Sequence, residues 1–274
     1  LNCPEKIYEG PGFSIYSYHK QKILQYHFTS GLKNCKVSLF LKGPEVTGSN
    51  GDPGLLWKGF TNNHKRIPPL VAPRQVHGTQ VLTAGDETCL PLRPEGDGVL
   101  IRDSKIRGSL RFADCFPIII AFEYPEPGIM ILHSGFRGTL KNIAGHSISW
   151  LVKKLGENVL ANYHIFIGPG IGKCCYFRNY HDTVTREALN SFPQEYISRD
   201  KERIFFDLGN IIKIQLCESK LDPDNISLIP FCTSCRKDIM YSYRQGDLLD
   251  RMFLLAEIKD PTYQKSSFWW DNIL

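Results

Sequence analysis

Three stretches of the chain put a metal-capable or nucleophilic side chain at the end of a strand-like run, where the loop that follows can aim it into a cleft. They are Arg74-Gln75-Val76-His77-Gly78, Phe112-Ala113-Asp114-Cys115 and Ile131-Leu132-His133-Ser134-Gly135-Phe136-Arg137-Gly138. Residue 77 stands 38 positions before 115, and 115 stands 18 before 133. Neither interval is that of a zinc finger or an HExxH helix, so spacing alone does not predict a metal. Arg137 lies four residues beyond His133 on a Gly-flanked loop that is expected to lead into a helix from Thr139. A guanidinium beside a helix N-terminus can hold an anion, and it can equally be salt-bridged to fix the loop. Asp97 and Asp114 can orient an imidazole or carry protons, although an Asp before Gly is more often a turn residue.

Other residue groups carry weaker signals. Gly168, Gly170 and Gly172 form a Gly-rich turn after a strand without the dinucleotide fingerprint, which implies only close backbone approach. Cys174-Cys175 and Cys232-x-x-Cys235 invite a second metal or a redox disulfide. They lack the paired-knuckle context of a structural zinc, so buried inert thiols are expected. His19, His27, His64, His146, His164 and His181 have no chemical context and read as ordinary packed or surface residues.

The elements that must position these side chains follow from hydrophobic periodicity. Lys36 to Leu41 alternates with period two, which makes the first 70 residues a sheet-rich opening, and Gly43 to Pro53 reads as a surface loop. From residue 109 strands alternate with helices. Gly128 to His133 reads as a buried strand, and Thr139 to Leu155 as a helix with an apolar face at three- and four-residue steps, stopped by Gly156. His164 to Ile167 is a further strand, His181 to Phe192 and Leu208 to Ser219 are helices, and Ile226 to Phe231 and Phe253 to Ile258 are late strands. The expected class is α/β or α+β, with mixed sheets layered with helices in a single catalytic domain over residues 1–274.

Bulk properties narrow the function. At 274 residues the chain can bury its own core, and 42% hydrophobic with 22% charged residues is a globular composition. The longest apolar run, Phe116 to Phe122, is far shorter than the roughly 20 residues of a membrane helix. Leu1 to Lys6 shows neither a signal peptide nor a transit pattern, and nine scattered cysteines do not form a dense disulfide framework, so a cytoplasmic protein with reduced thiols is expected. A net charge of +5 without a basic block argues against a nucleic-acid partner.

Taken in order, the motifs resemble those of the YfiH/laccase-domain family. The chain carries Gln75-Val76-His77, Gly96-Asp97-Gly98-Val99, Ala113-Asp114-Cys115-Phe116-Pro117 and His133-Ser134-Gly135-Phe136-Arg137-Gly138. It continues with Ile167-Gly168-Pro169-Gly170-Ile171-Gly172-Lys173-Cys174-Cys175-Tyr176, Cys232-Thr233 and Tyr241-Ser242-Tyr243-Arg244, so the resemblance spans residues 74–247. It departs from the family pattern at Phe136, where Trp is usual, at Phe177 in place of Glu, and at Gly246-Asp247 in place of Asp-Gly; these departures are expected to alter pocket walls.

The resemblance implies a YfiH-like fold and assigns the metal ligands to His77, Cys115 and His133, a set that suits zinc and also copper with one position left open. It implies catalysis by His77, Cys115, His133 and Arg137, with Arg137 as the phosphate contact and Arg74 or Arg244 as alternatives. The implied activity is phosphorolysis of adenosine, inosine or methylthioadenosine, with deamination of adenosine, and the partners are a nucleoside and phosphate, with no membrane or nucleic acid. Two rivals stand beside it: a copper-dependent polyphenol oxidase, and an amidase acting on cell-wall precursors in which His133 activates Cys115.

Overall fold

The computed structural model describes residues 4–61 and 68–259. The chain opens with β1 (Glu5–Gly10), β2 (Phe13–Tyr18), β3 (Gln21–Tyr26) and β4 (Cys35–Phe40), followed by α1 (Pro53–Thr61). Next come β5 (Leu70–Val71), β6 (Val81–Thr83), β7 (Gly98–Ile101), β8 (Arg107–Phe112), β9 (Phe116–Phe122) and β10 (Gly128–Ser134). Helices then interleave: α2 (Phe136–Leu140), α3 (Ile143–Leu155), β11 (Tyr163–Ile167), β12 (Phe177–Asn179) and α4 (Thr183–Ser191). The described chain finishes with β13 (Ile197–Asp200), β14 (Arg203–Phe206), α5 (Leu208–Glu218), β15 (Ile226–Leu228) and β16 (Met252–Ile258).

The strands form three sheets. One has the order β1-β2-β3-β4-β16-β8-β5, a second β15-β11-β9-β10-β7-β6, and a small third β12-β14-β13. Both large sheets are mixed: β5 is parallel to β8, and β11 is parallel to β15, beside antiparallel neighbours. β9 explains why the two large sheets stack. All seven of its residues are buried, and successive side chains of a strand point to opposite faces. Ile119 and Ala121 therefore pack with Leu39, Leu110 and Leu254 of the first sheet. Ile118, Ile120 and Phe122 pack with Ile148 and Leu151 of α3 and Ile211 and Ile212 of α5. The layers are sheet, sheet, helices, and an Ile→Ala change in β9 would cost about 2–5 kcal/mol on either face.

The expected helix over Thr139 to Leu155 is two helices. α2 starts earlier, at Phe136, and the chain breaks at Lys141 and Asn142. Asn142 takes the left-handed conformation (φ 52°), and its side chain caps α3 by accepting from the Gly145 amide. A capping Asn satisfies an amide that the helix leaves unpaired, a local choice that the apolar periodicity runs straight through. Gly156 ends α3 as expected, at φ 88°. The strand expected over Ile226 to Phe231 stops at Leu228, because the chain turns there into a loop that carries two cysteines. β16 is inserted between β4 and β8, so the end of the described chain closes the sheet that its beginning opens. No helix among the described residues is long and apolar enough to cross a membrane.

Candidate functional site

His77 sits in the turn between β5 and β6, and that turn is wound around one carboxylate. The amides of Val76, His77 and Gly78 donate to Asp97 at 3.1, 3.0 and 2.7 Å. His77 reaches this arrangement in the left-handed region, at φ 57°, a conformation that costs a non-glycine residue of order 1 kcal/mol and must be held from outside. Gln75 supplies part of the hold. Its amide donates to the carbonyl of Arg111 on β8 at 2.9 Å, and its oxygen accepts from the Arg111 amide at 3.0 Å.

Cys115 occupies the tight connection between β8 and β9. Asp114 before it has φ 85°, and its carboxylate and carbonyl are both engaged. Its carboxylate accepts from the Thr233 hydroxyl at 2.6 Å and the Arg244 amide at 2.8 Å, and its carbonyl accepts from the Ile171 amide at 2.8 Å. Asp114 is thus a clamp that holds Cys115 against the loops after β11 and β15.

His133 lies within β10, 4% exposed. Its Nδ1 is 2.8 Å from Asp97 Oδ1, and since a carboxylate only accepts, Nδ1 carries the hydrogen and Nε2 is left for the cleft. Asp97 is completely buried. It therefore joins His77 and His133 through one carboxylate, and is more than the turn residue that its place before Gly98 suggests.

The sequence-predicted trio is brought together. One ligand atom from each of His77, Cys115 and His133 lies within 4.8 Å of the others. Cys115 Sγ is 3.9 Å from His77 Nε2, and the two imidazole rings are 4.9 Å apart at 64°. Tetrahedral zinc with Zn–N of about 2.0–2.1 Å and Zn–S of about 2.3 Å has an N···S edge of about 3.6 Å, so the Cys115 to His77 edge is within a few tenths of an ångström of that geometry. Gly135 makes room for it. A Cβ at that position would lie 2.5 Å from Cys115 Sγ and 3.1 Å from His77 Cδ2.

The electrostatics point the same way. Burial pushes the Cys115 thiol up, but His133 and His77 outweigh it and bring the group down to about 6. Burial lowers His133, while Cys115 and Asp97 outweigh that and raise it to about 9. Burial raises Asp97 too, and its bonds to His133, Gly78 and Val76 leave it below the ordinary carboxylate value. A thiolate against an imidazolium is the charge state of a site in which a cation can replace a proton.

The structure places Arg137 differently from the expectation. It lies inside α2 rather than on a loop before a helix, its side chain is exposed, and it has no ion-pair partner among the described residues. The alternative of a salt bridge that fixes the loop is not met. Arg74 pairs with Glu95. Arg244 donates to the Phe177 carbonyl at 3.2 Å and stacks over the rings of Tyr176 and Phe177. Tyr176 and Arg178 were not singled out from the sequence, yet Tyr176 senses the charges of Arg178, Cys115 and Arg244. Arg178 stacks over Phe136 at 4.4 Å and pairs with Asp182. Phe136 itself is 7% exposed among Tyr176, Phe192 and Phe206, so this departure from the family pattern fills core space beside the site. The one available signal was the period-two spacing of 176 and 178 in extended chain.

The cysteine pairs also differ from the expectation of buried inert thiols. Cys174 and Cys235 are exposed, Cys175 and Cys232 half-buried, and their four sulfurs lie within 4.8 Å of one another. None of these four is in a disulfide. A cavity lined by Asp52, Trp57, Lys58, Leu90, Pro91 and Arg93 includes none of the trio.

Stacked mixed sheets backed by helices, with His77, Cys115 and His133 brought together between them, define a metal-competent enzyme scaffold. The chain belongs to the family described as multi-copper polyphenol oxidoreductase laccase, which it matches over residues 60–258. It is 28% identical over 204 residues to the protein named purine nucleoside phosphorylase YlmD of Geobacillus stearothermophilus, covering 67% of this chain and 73% of that protein. It is 25% identical to mouse purine nucleoside phosphorylase LACC1, covering 63% of this chain and 39% of that protein. The fold is similar to that of Bacillus licheniformis YfiH, with a TM-score of 0.75 at 18% identity, covering 88% of this chain and 97% of that one. It is similar also to the crystal structure of Geobacillus YlmD, with a TM-score of 0.72 at 21% identity, covering 93% of this chain and all of that one.

Proposed function

We propose that this chain is a purine nucleoside phosphorylase whose active site is one zinc ion held by His77, Cys115 and His133, with copper as the alternative metal. The observation that carries the reading is the convergence of these three donors with Asp97 behind two of them. An ion held by His77, Cys115 and His133 would supply Lewis acidity to the reacting group. Asp97 keeps the His133 tautomer and the His77 turn in place, and Gly135 leaves the space beside Cys115 clear. Arg137 offers an unpaired guanidinium for phosphate, and Arg244 and Tyr176 line the approach with cationic and aromatic surface. Adenosine, inosine and methylthioadenosine are the proposed substrates, with deamination of adenosine as a second activity.

The test is protein purified without added metal, assayed by elemental analysis and by release of hypoxanthine and ribose 1-phosphate from inosine with and without phosphate. Phosphate-dependent release that disappears with the metal supports the reading. Absence of release from every purine nucleoside overturns it.

One observation favours a second reading. Asp97, His133 and Cys115 form a carboxylate, imidazole, thiol chain of the kind that activates a nucleophilic cysteine in an amidase. Removal of metal separates the two, since a thiol nucleophile would be spared or activated and the zinc enzyme silenced. For four-electron oxygen reduction the donor sets are poor. Among the described residues the only other candidate ligand cluster is made wholly of cysteines, without the His-rich set that such chemistry draws on.

A further inference from the structure

Two parallel neighbouring strands, β11 and β15, end side by side, and the loops that leave them each carry two cysteines. The loops are laced together before the sulfurs meet. Gly170 and Cys232 form an isolated parallel bridge, and the Thr233 amide donates to the Gly170 carbonyl at 3.0 Å. Cys232-x-x-Cys235 then turns tightly, with the Arg236 amide donating to the Cys232 carbonyl at 3.0 Å. On the other loop the Cys175 amide donates back to Gly172. The result brings Cys235 Sγ to 3.5 Å from Cys175 Sγ and 3.6 Å from Cys174 Sγ.

Those separations match the edges of a shared tetrahedral metal site. A disulfide needs sulfurs about 2.05 Å apart, whereas four thiolates around tetrahedral zinc at about 2.3 Å sit about 3.8 Å from one another. Burial raises the Cys174 thiol, and Cys175 raises that of Cys235, so a cation rather than the protein must draw off those protons. The Gly172 amide donates to Cys232 Sγ at 3.2 Å, and Lys173, Arg236 and Lys237 flank the ligands in sequence. Gly172 also makes the cradle possible, since a Cβ there would lie 3.2 Å from Cys232 Cβ and 3.3 Å from Cys174 Sγ.

The geometry points to a second metal site, in which Cys174, Cys175, Cys232 and Cys235 bind one soft divalent ion, zinc, as a closed four-thiolate centre. On binding, each thiol yields its proton to solvent, and four thiolates around one Zn²⁺ carry a net charge of −2 at the exposed surface, where water screens it. A closed site leaves no position for substrate, so its role is structural. What it fastens is specific: Thr233, inside the Cys232-x-x-Cys235 turn, donates to the Asp114 carboxylate at 2.6 Å, and Asp114 precedes Cys115. The four-sulfur centre therefore braces the loop that presents the catalytic-site thiol, while sharing no ligand with the His77, Cys115, His133 trio.

The test uses the full chain purified under reductant and without chelator. Elemental analysis of wild type should give about two metal equivalents per chain, and Cys232→Ser/Cys235→Ser should lose about one of them. X-ray absorption on Cys115→Ala, where the trio is broken, should show four sulfurs at about 2.3 Å. That measurement reads the new site even if the trio proves to hold no metal, and it needs no folded cysteine-pair variant. A Cys115→Ala protein without thiolate-bound metal overturns the proposal.

Discussion

Asp97 and His133 are joined at 2.8 Å, carboxylate oxygen to imidazole Nδ1, in a place where Asp97 has no exposure to solvent. The same carboxylate accepts the amides of Val76, His77 and Gly78. Removing its charge should loosen two of the three proposed donors at once. Asp97→Asn is expected to weaken zinc binding about 10- to 100-fold and to destabilise the protein by about 2–4 kcal/mol. Competition with a chromophoric chelator and urea unfolding measure the two effects. Unchanged zinc affinity would reduce Asp97 to a packing residue.

Gly135 tests the site by space alone. It lies at φ −90°, a conformation open to alanine, yet the added Cβ would fall 2.5 Å from Cys115 Sγ. Gly135→Ala should lower metal affinity by at least about tenfold. Cys115 Sγ must move aside in the metal-stripped variant as well, so thermal unfolding of metal-stripped variant and wild type is measured beside the affinity to separate the packing cost from the loss of metal. Full metal retention in Gly135→Ala would place the ion elsewhere.

Metal-stripped protein should carry Cys115 as a thiolate at neutral pH. Its pKa is depressed to about 6, so its share of the ion pair is present above the unfolded thiol value and lost as pH falls through about 6. That of His133 is raised to about 9, so its share is complete below the unfolded imidazole value and lost as pH rises through about 9. Alkylation of Cys115 should rise with a midpoint near pH 6 rather than the ordinary thiol value of about 8.5. Zinc should suppress it. A midpoint above about 8 would mean that the imidazoles do not act on this sulfur.

Arg137 separates phosphorolysis from deamination. A planar guanidinium that contacts phosphate is not replaced by an ammonium, so Arg137→Lys should lower kcat/KM for inosine phosphorolysis by about 30- to 1000-fold at unchanged metal content. Deamination of adenosine should fall less, since it needs no phosphate. Equal loss of both activities would leave Arg137 a helix-positioning residue, and unaffected phosphorolysis would move the phosphate contact to Arg244.

The residues of the candidate centre were legible because their types and flanking patterns are local. Asp114-Cys115 and the His133 to Gly138 run each stand at the end of a strand, as expected, whereas Gln75-Val76-His77 lies in a turn well beyond β5; periodicity alone finds β10, α5 and the stop at Gly156. It does not find the break at Asn142, because a side chain that caps its own backbone leaves no trace in the apolar pattern. Nothing in spacing shows that His77, Cys115 and His133 converge. They meet because β8 belongs to one sheet, β9 and β10 to another, and the sheets stack. Asp97 reads as a turn residue until its burial between two histidine-bearing segments is known. The four cysteines look unrelated, 58 positions apart from 174 to 232, until β11 and β15 pair in parallel and bring their loop ends together. Composition and local pattern determined which side chains stand at strand ends; strand pairing across long sequence separation, which only the folded chain decides, determined which of them share a site.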